Sequence, residues 1–124
     1  MSPRHIPATE HELNRCSLLA ELPGERLRKL AVRMSREEVT AGHAPVVEGA
    51  PGDRFYVVLS GMLVVSQGSM GARRVLRPGD YFGEVALAMD VPRTATVSAI
   101  TPAVVASCDR ETFDEFLRPL FADD

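Results

Sequence analysis

Residues 82 to 97, Phe82-Gly83-Glu84-Val85-Ala86-Leu87-Ala88-Met89-Asp90-Val91-Pro92-Arg93-Thr94-Ala95-Thr96-Val97, place one carboxylate and one guanidinium on either side of a short apolar turn. A carboxylate accepts a hydrogen bond from a hydroxyl, and a planar guanidinium donates a forked pair to a phosphate. A ligand that carries both groups would be held at two points. Gly83 to Ala86, which includes the carboxylate, reads as the first turn of a small helix, whose backbone N–H groups lack intrahelical partners.

The stretch resembles the phosphate-binding cassette of the cyclic nucleotide-binding domain family, found in regulatory subunits of cyclic AMP-dependent kinase, bacterial catabolite activators and nucleotide-gated channels. The family pattern is Phe-Gly-Glu, an apolar residue, Ala-Leu, a variable stretch, then Pro-Arg, a small residue and Ala-Thr-Val, and it is matched throughout. The likeness extends outward to Gly52-Asp53-Arg54-Phe55-Tyr56-Val57-Val58-Leu59-Ser60-Gly61 and to the lead-in Pro78-Gly79-Asp80-Tyr81, so it covers roughly residues 12 to 118. Residues 1–11 and 119–124 are read as tails.

The resemblance implies a fold and a site. The fold is mainly β, an eight-stranded jelly-roll barrel with short N-terminal helices and a short C-terminal helix. The ligand residues it assigns are Phe82, Gly83, Glu84, Val85, Ala86, Leu87, Arg93, Thr94 and Ala95. Arg93 would take the exocyclic phosphate oxygens, helped by Thr94 and the Ala95 N–H, and Glu84 the ribose 2′-hydroxyl. Leu87 would pass a shift of the cassette to the C-terminal helix. No cofactor or metal is called for. Cyclic AMP is the expected ligand, with cyclic GMP open because the Thr94 hydroxyl suits both purines.

Away from the family pattern, a Glu at a helix start complements the helix dipole and an exposed Arg makes a surface ion pair worth about 0–1 kcal/mol. Beside a phosphate a carboxylate is repulsive unless it holds a donor. Gly83 is expected to clear the approach of backbone to phosphate.

Local patterns agree with this fold. Thr9 and Glu12 have capping-box spacing ahead of Leu13, Cys16 and Leu19, and Pro23 stands as a first helical residue before Leu27, Leu30, Ala31 and Met34. Beyond Glu38 come short β-prone runs, Val46-Val47, 55–59, 62–65, 75–76, 95–100 and 104–106, punctuated by Gly and Pro. Val58, Leu63 and Val65 read as core, and Gly61 and Gly79 as turn residues. Asp109 is a fair N-cap for a last helix through Thr112, Phe113, Phe116 and Leu117 that Pro119 would cut short.

Composition sets outer limits. The chain has 124 residues, 45% of them hydrophobic, and a formal net charge of -3. That is one domain without the basic stripe of a general nucleic-acid binder. Cys16 and Cys108 stand far apart without CxxC spacing and read as reduced thiols of a cytosolic module. No apolar stretch is long enough to span a bilayer. His5, His11 and His43 are too few and too scattered for a cupin-type metal site, and no nucleophile–base pair stands out, so a non-catalytic module is expected.

The family usually continues into a longer helix over the purine. Here the sequence runs Leu117-Arg118-Pro119-Leu120-Phe121-Ala122-Asp123-Asp124, so the lid is expected to be short or missing: either this is a sensor piece of a larger protein with an effector domain, or a complete protein whose base is more exposed or capped by a partner protein. A sensor that relays occupancy is the leading expectation. A jelly-roll docking or assembly module is the alternative.

Overall fold

The computed structural model describes residues 5–121, so residues 1–4 and the last three residues of the closing segment lie outside what is described. Seven strands form two antiparallel sheets among the described residues. One has the order β1 (Ser35–Val39), β7 (Ala103–Asp109), β2 (Arg54–Ser60), β5 (Tyr81–Phe82); the other is β4 (Gly71–Leu76), β3 (Leu63–Gln67), β6 (Thr96–Ala99). The β-prone run at Val46-Val47 makes only one bridge, between Val46 and Val97, so the described residues carry seven strands and no closed barrel where the resemblance implies an eight-stranded barrel. Pro45 and Pro51, which have no N–H to donate, flank the run, and Gly49 at φ +85° turns it away.

The four-stranded sheet is a middle layer, covered on one face by helices and on the other by the second sheet. Along β2, Phe55, Val57 and Leu59 point to the helices, while Tyr56 and Val58 point to the second sheet. This is the period-two alternation of a strand buried on both sides, which explains its unbroken apolar run. Between the sheets lie Val39, Val58, Leu63, Leu76, Val97 and Val105.

On the other face, α1 (Glu10–Leu13) begins with the expected capping box: the Glu12 N–H donates to Thr9 Oγ1 at 3.1 Å and the Thr9 N–H to Glu12 Oε1 at 3.0 Å. Helix α2 (Gly24–Arg33) buries Leu27, Leu30 and Ala31, with Met34 following, and Pro23 is its N-cap rather than its first residue.

The last helical segment departs from expectation. Asp109 caps α4 (Arg110–Thr112), as read from the sequence. The chain then widens into a π-helical turn, Phe113–Leu117, and tightens into a 3-10 turn, Arg118–Phe121, passing through Pro119 instead of ending before it. Pro119 cannot donate an α-helical bond to the Glu115 carbonyl, and Arg26 Nη2 donates to that oxygen instead, at 2.9 Å.

Candidate functional site

Strand β5 hands the chain to a short helix, α3 (Glu84–Met89), through Gly83. Gly83 has φ +92°, and a Cβ there would lie 2.9 Å from the Arg54 carbonyl oxygen and 3.1 Å from Arg93 Nη1. Its glycine is therefore required by backbone conformation and by the packing of the protein on itself, a reason the sequence reading did not give. Phe82, just before it, is buried and stacks on Tyr56, with centroids 4.7 Å apart and planes 5° from parallel.

Arg93 is 7% exposed. Its Nη1 donates to the Gly83 carbonyl at 3.0 Å and its Nη2 to the Arg54 carbonyl at 2.9 Å. Its main chain is pinned as well, the N–H donating to Ala50 O at 2.8 Å and the carbonyl accepting from Gly49 N at 2.8 Å. Gly52 lets the side chain lie flat: a Cβ there would stand 2.7 Å from Arg93 Nε and 2.6 Å from the Ala86 Cβ. That contact explains the Gly52-Asp53-Arg54 signature, since two of its three residues form the bed and back wall for the guanidinium.

Among the described residues no carboxylate forms an ion pair with Arg93. Burial lowers its pKa, and the surrounding Tyr56, Asp53 and Glu84 only partly oppose that. A buried cation balanced by two neutral carbonyls keeps attraction in reserve for an anion.

Glu84 presents the complementary imbalance. Its Oε2 is buried and has no hydrogen-bond partner. Burial raises the carboxyl pKa, against smaller lowering effects from its own N–H, Arg74 and Arg93. A buried carboxylate oxygen without a donor costs free energy, and a hydroxyl brought to it would recover that cost.

Both residues line one cleft of about 310 Å³. Of the nine residues expected from the sequence, Phe82, Gly83, Glu84, Val85, Ala86, Arg93, Thr94 and Ala95 line it. Leu87 does not: it is fully buried in the core beneath the helices.

The sequence reading missed six further lining residues. Val46, Val65, Gln67, Arg74, Tyr81 and Val97 complete the cleft, and Val65, expected only as core, is half-buried on its surface. Arg74 comes from β4, and Gln67 from the end of β3 donates to the Thr94 carbonyl at 3.0 Å. Gln67 is brought to the cleft by the pairing of β3 with β6, which sets Ser66 opposite Thr96. Among the described residues no group of three or more His, Cys, Asp or Glu could hold a metal ion, and no helix is long and apolar enough to cross a membrane.

The cyclic nucleotide-binding domain profile matches residues 36–119. The chain is 40% identical over 109 residues to a cAMP-dependent protein kinase regulatory subunit of Yarrowia lipolytica, covering 87% of this chain and 29% of that protein. It is 39% identical over 114 residues to the cGMP-dependent protein kinase egl-4 of Caenorhabditis briggsae, covering 87% of this chain and 15% of that one. The solved regulatory domain of Toxoplasma gondii PKA with cAMP superposes with a TM-score of 0.84 at 29% identity, over 90% of this chain and 44% of that one. The chain thus spans less than a third of the length of these two curated relatives. With a profile match over most of its length and a fold shared with a cAMP-bound regulatory domain, the chain belongs to the cyclic nucleotide-binding domain family.

Proposed function

We propose that this chain is a cyclic nucleotide-binding regulatory sensor in which Arg93 takes the cyclic phosphate and Glu84 the ribose 2′-hydroxyl, with cyclic AMP as the ligand. The observation that carries it is the double imbalance within one cleft: a buried guanidinium with no carboxylate partner and a buried carboxylate oxygen with no donor. A cyclic nucleotide supplies the anion for one and the hydroxyl for the other. Thr94 and the Ala95 N–H flank the phosphate in this reading. The relatives that are named as kinase regulatory subunits support an output through a kinase catalytic partner, and the role is binding, without catalysis.

A second reading keeps the site and changes the base. Arg74 is a cation lining the same cleft as Glu84, and guanine offers two acceptors, O6 and N7, to a guanidinium where adenine offers one acceptor and an amino donor. A cyclic GMP ligand whose base reached Arg74 would therefore gain from it, and the likeness to a cGMP-dependent kinase agrees.

Calorimetric titration of the chain with both nucleotides tests the two together. Binding that is lost in Arg93→Ala and weakened in Glu84→Gln supports the site; unaltered binding in Arg93→Ala refutes it. Preference for cyclic GMP that disappears in Arg74→Ala selects the second reading.

A further inference from the structure

Strand β1 stands at the edge of the four-stranded sheet, and only its first part is covered by pairing. Residues 6–8 lie along that part: Pro7 makes an antiparallel bridge to Ser35, the Arg36 N–H donates to Ile6 O at 2.7 Å and the Ala8 N–H to Met34 O at 3.0 Å. The Arg36 N–H therefore points away from β7, and by the two-residue alternation of a strand the Glu38 N–H and carbonyl do too. Among the described residues no backbone group meets them.

Two grooves meet at this bare stretch, both lined by Glu38 and Val39. One, of about 210 Å³, is completed by Glu37, His43, Pro45 and Tyr56, with Val105 beneath. Tyr56 is 7% exposed, and its hydroxyl has no hydrogen-bond partner among the described residues. Burial, and after it the Glu37 charge, raises the pKa of that hydroxyl, which keeps its proton. The loop that carries His43 is fixed, since the Gly42 N–H donates to Ala99 O at 2.8 Å and the Ala99 N–H to His43 O at 2.9 Å. Among the described residues neither Glu37 nor Glu38 forms an ion pair, although Arg36 beside them pairs with Glu12 at 2.8 Å. The second groove, of about 410 Å³, is mostly apolar, with Ala41, Pro102, Ala103 and Val104 in its lining.

We infer that the free edge of β1 is a docking site for an extended segment of a partner protein that carries a Lys or Arg next to an apolar residue. The segment adds a strand through the Glu38 main chain. Neighbouring side chains of a strand point to opposite faces, so the cation enters the acidic groove, where Glu37 and the Tyr56 hydroxyl accept its N–H bonds, and the apolar neighbour enters the other. Charge on an edge strand by itself only repels other strands. Here the charge is joined by a buried hydroxyl without a partner, and the same edge already takes residues 6–8 as a pairing segment. Glu37, Glu38 and Val39 do not line the cleft of Arg93 and Glu84, so the two surfaces are separate.

Random heptapeptides displayed on phage, selected on the 124-residue chain and counter-selected on Glu37→Gln, test the inference. Enrichment of peptides with Lys or Arg beside an apolar residue is expected. A synthetic copy of the most enriched peptide, titrated by fluorescence anisotropy, should bind Glu37→Gln about tenfold more weakly than wild type and lose affinity as salt rises. It should bind Glu38→Pro more weakly than Glu38→Gln, because only proline also removes the outward N–H, and an edge strand tolerates it there. Tyr56→Phe, which should also weaken binding, serves should the proline variant not fold. Enriched peptides without a basic residue, equal binding to wild type and Glu37→Gln, or no enrichment at all overturns the inference. A wild-type dimer that Glu38→Pro dissociates in sedimentation assigns the edge to a second copy, and peptide binding that emerges only once residues 1–4 are removed assigns it to the chain's own start; either result overturns the partner reading.

Discussion

Arg93 donates to the carbonyl of Gly83, so the guanidinium that faces the cleft also fastens the turn from which α3 starts. In the proposed function, ligand binding and local structure therefore share one side chain. Arg93→Ala strands the Gly83 and Arg54 carbonyls in a partly buried setting, and a loss of about 1–3 kcal/mol of stability is expected along with the loss of binding. Arg93→Lys keeps the charge but cannot fork to two carbonyls and a phosphate at once. Denaturant melts should rank wild type above Lys above Ala; titration should show the lysine variant much weaker than wild type.

The two glycines around that guanidinium fail differently when substituted. Gly52→Ala drives a methyl into Arg93 Nε and the Ala86 Cβ, so Arg93 must leave its bed. A cost of about 1–3 kcal/mol is expected from overpacking, with nucleotide affinity falling further than stability. Gly83→Ala adds backbone strain at φ +92° to the clash with Arg54 O, and should cost about 1–3 kcal/mol in melts even without ligand.

The cassette was legible because its residues are contiguous: Glu84 and Arg93 stand nine positions apart and the turn between them is short. Helix α2 and the Asp109 cap were legible for the same local reason. Strand β1 was not, because Arg36, Glu37 and Glu38 are exposed on it and only Val39 is buried, which erases the apolar alternation that marks a strand. Arg74 escaped because its place in the cleft depends on the pairing of β3 with β4, a relation between strands that spacing along the chain does not encode. Pro119 misled for a physical reason: it forbids an α-helical bond, yet π and 3-10 turns can carry a helical segment past it when an outside donor takes the freed carbonyl.

Glu84 should leave a pH signature in the ligand-free protein. Burial raises its folded-state pKa, so the folded chain holds this proton to higher pH than the unfolded chain. Its contribution to stability is then fully present below the ordinary carboxylate value and is lost as pH rises through the raised one. Glu84→Gln, which cannot ionise, should melt higher than wild type near neutral pH, and the difference should vanish on acidification. Saturating nucleotide should narrow the neutral-pH gap, because in the proposed site the ribose hydroxyl satisfies the carboxylate. A variant that melts below wild type at neutral pH, with the gap unchanged by acid, would remove the buried-carboxylate argument.

Arg26 and Pro119 form a pair that a double-mutant cycle can isolate. Arg26 Nη2 serves the Glu115 carbonyl that Pro119 leaves open, and its guanidinium carbon lies 4.4 Å from the centroid of the Phe116 ring. Arg26→Ala removes a charge-assisted hydrogen bond and a cation–π contact at a surface site, so a loss of about 1–2 kcal/mol is expected. Pro119→Ala restores an N–H able to reach Glu115 O and allows the π-helical turn to relax toward α geometry. In that background the carbonyl no longer depends on Arg26, and the same Arg26→Ala change should cost less, leaving mainly the aromatic contact. Urea melts of the four proteins give the coupling directly. Additive losses would mean that the carbonyl is satisfied by water in the single variant and that Arg26 acts on Phe116 alone.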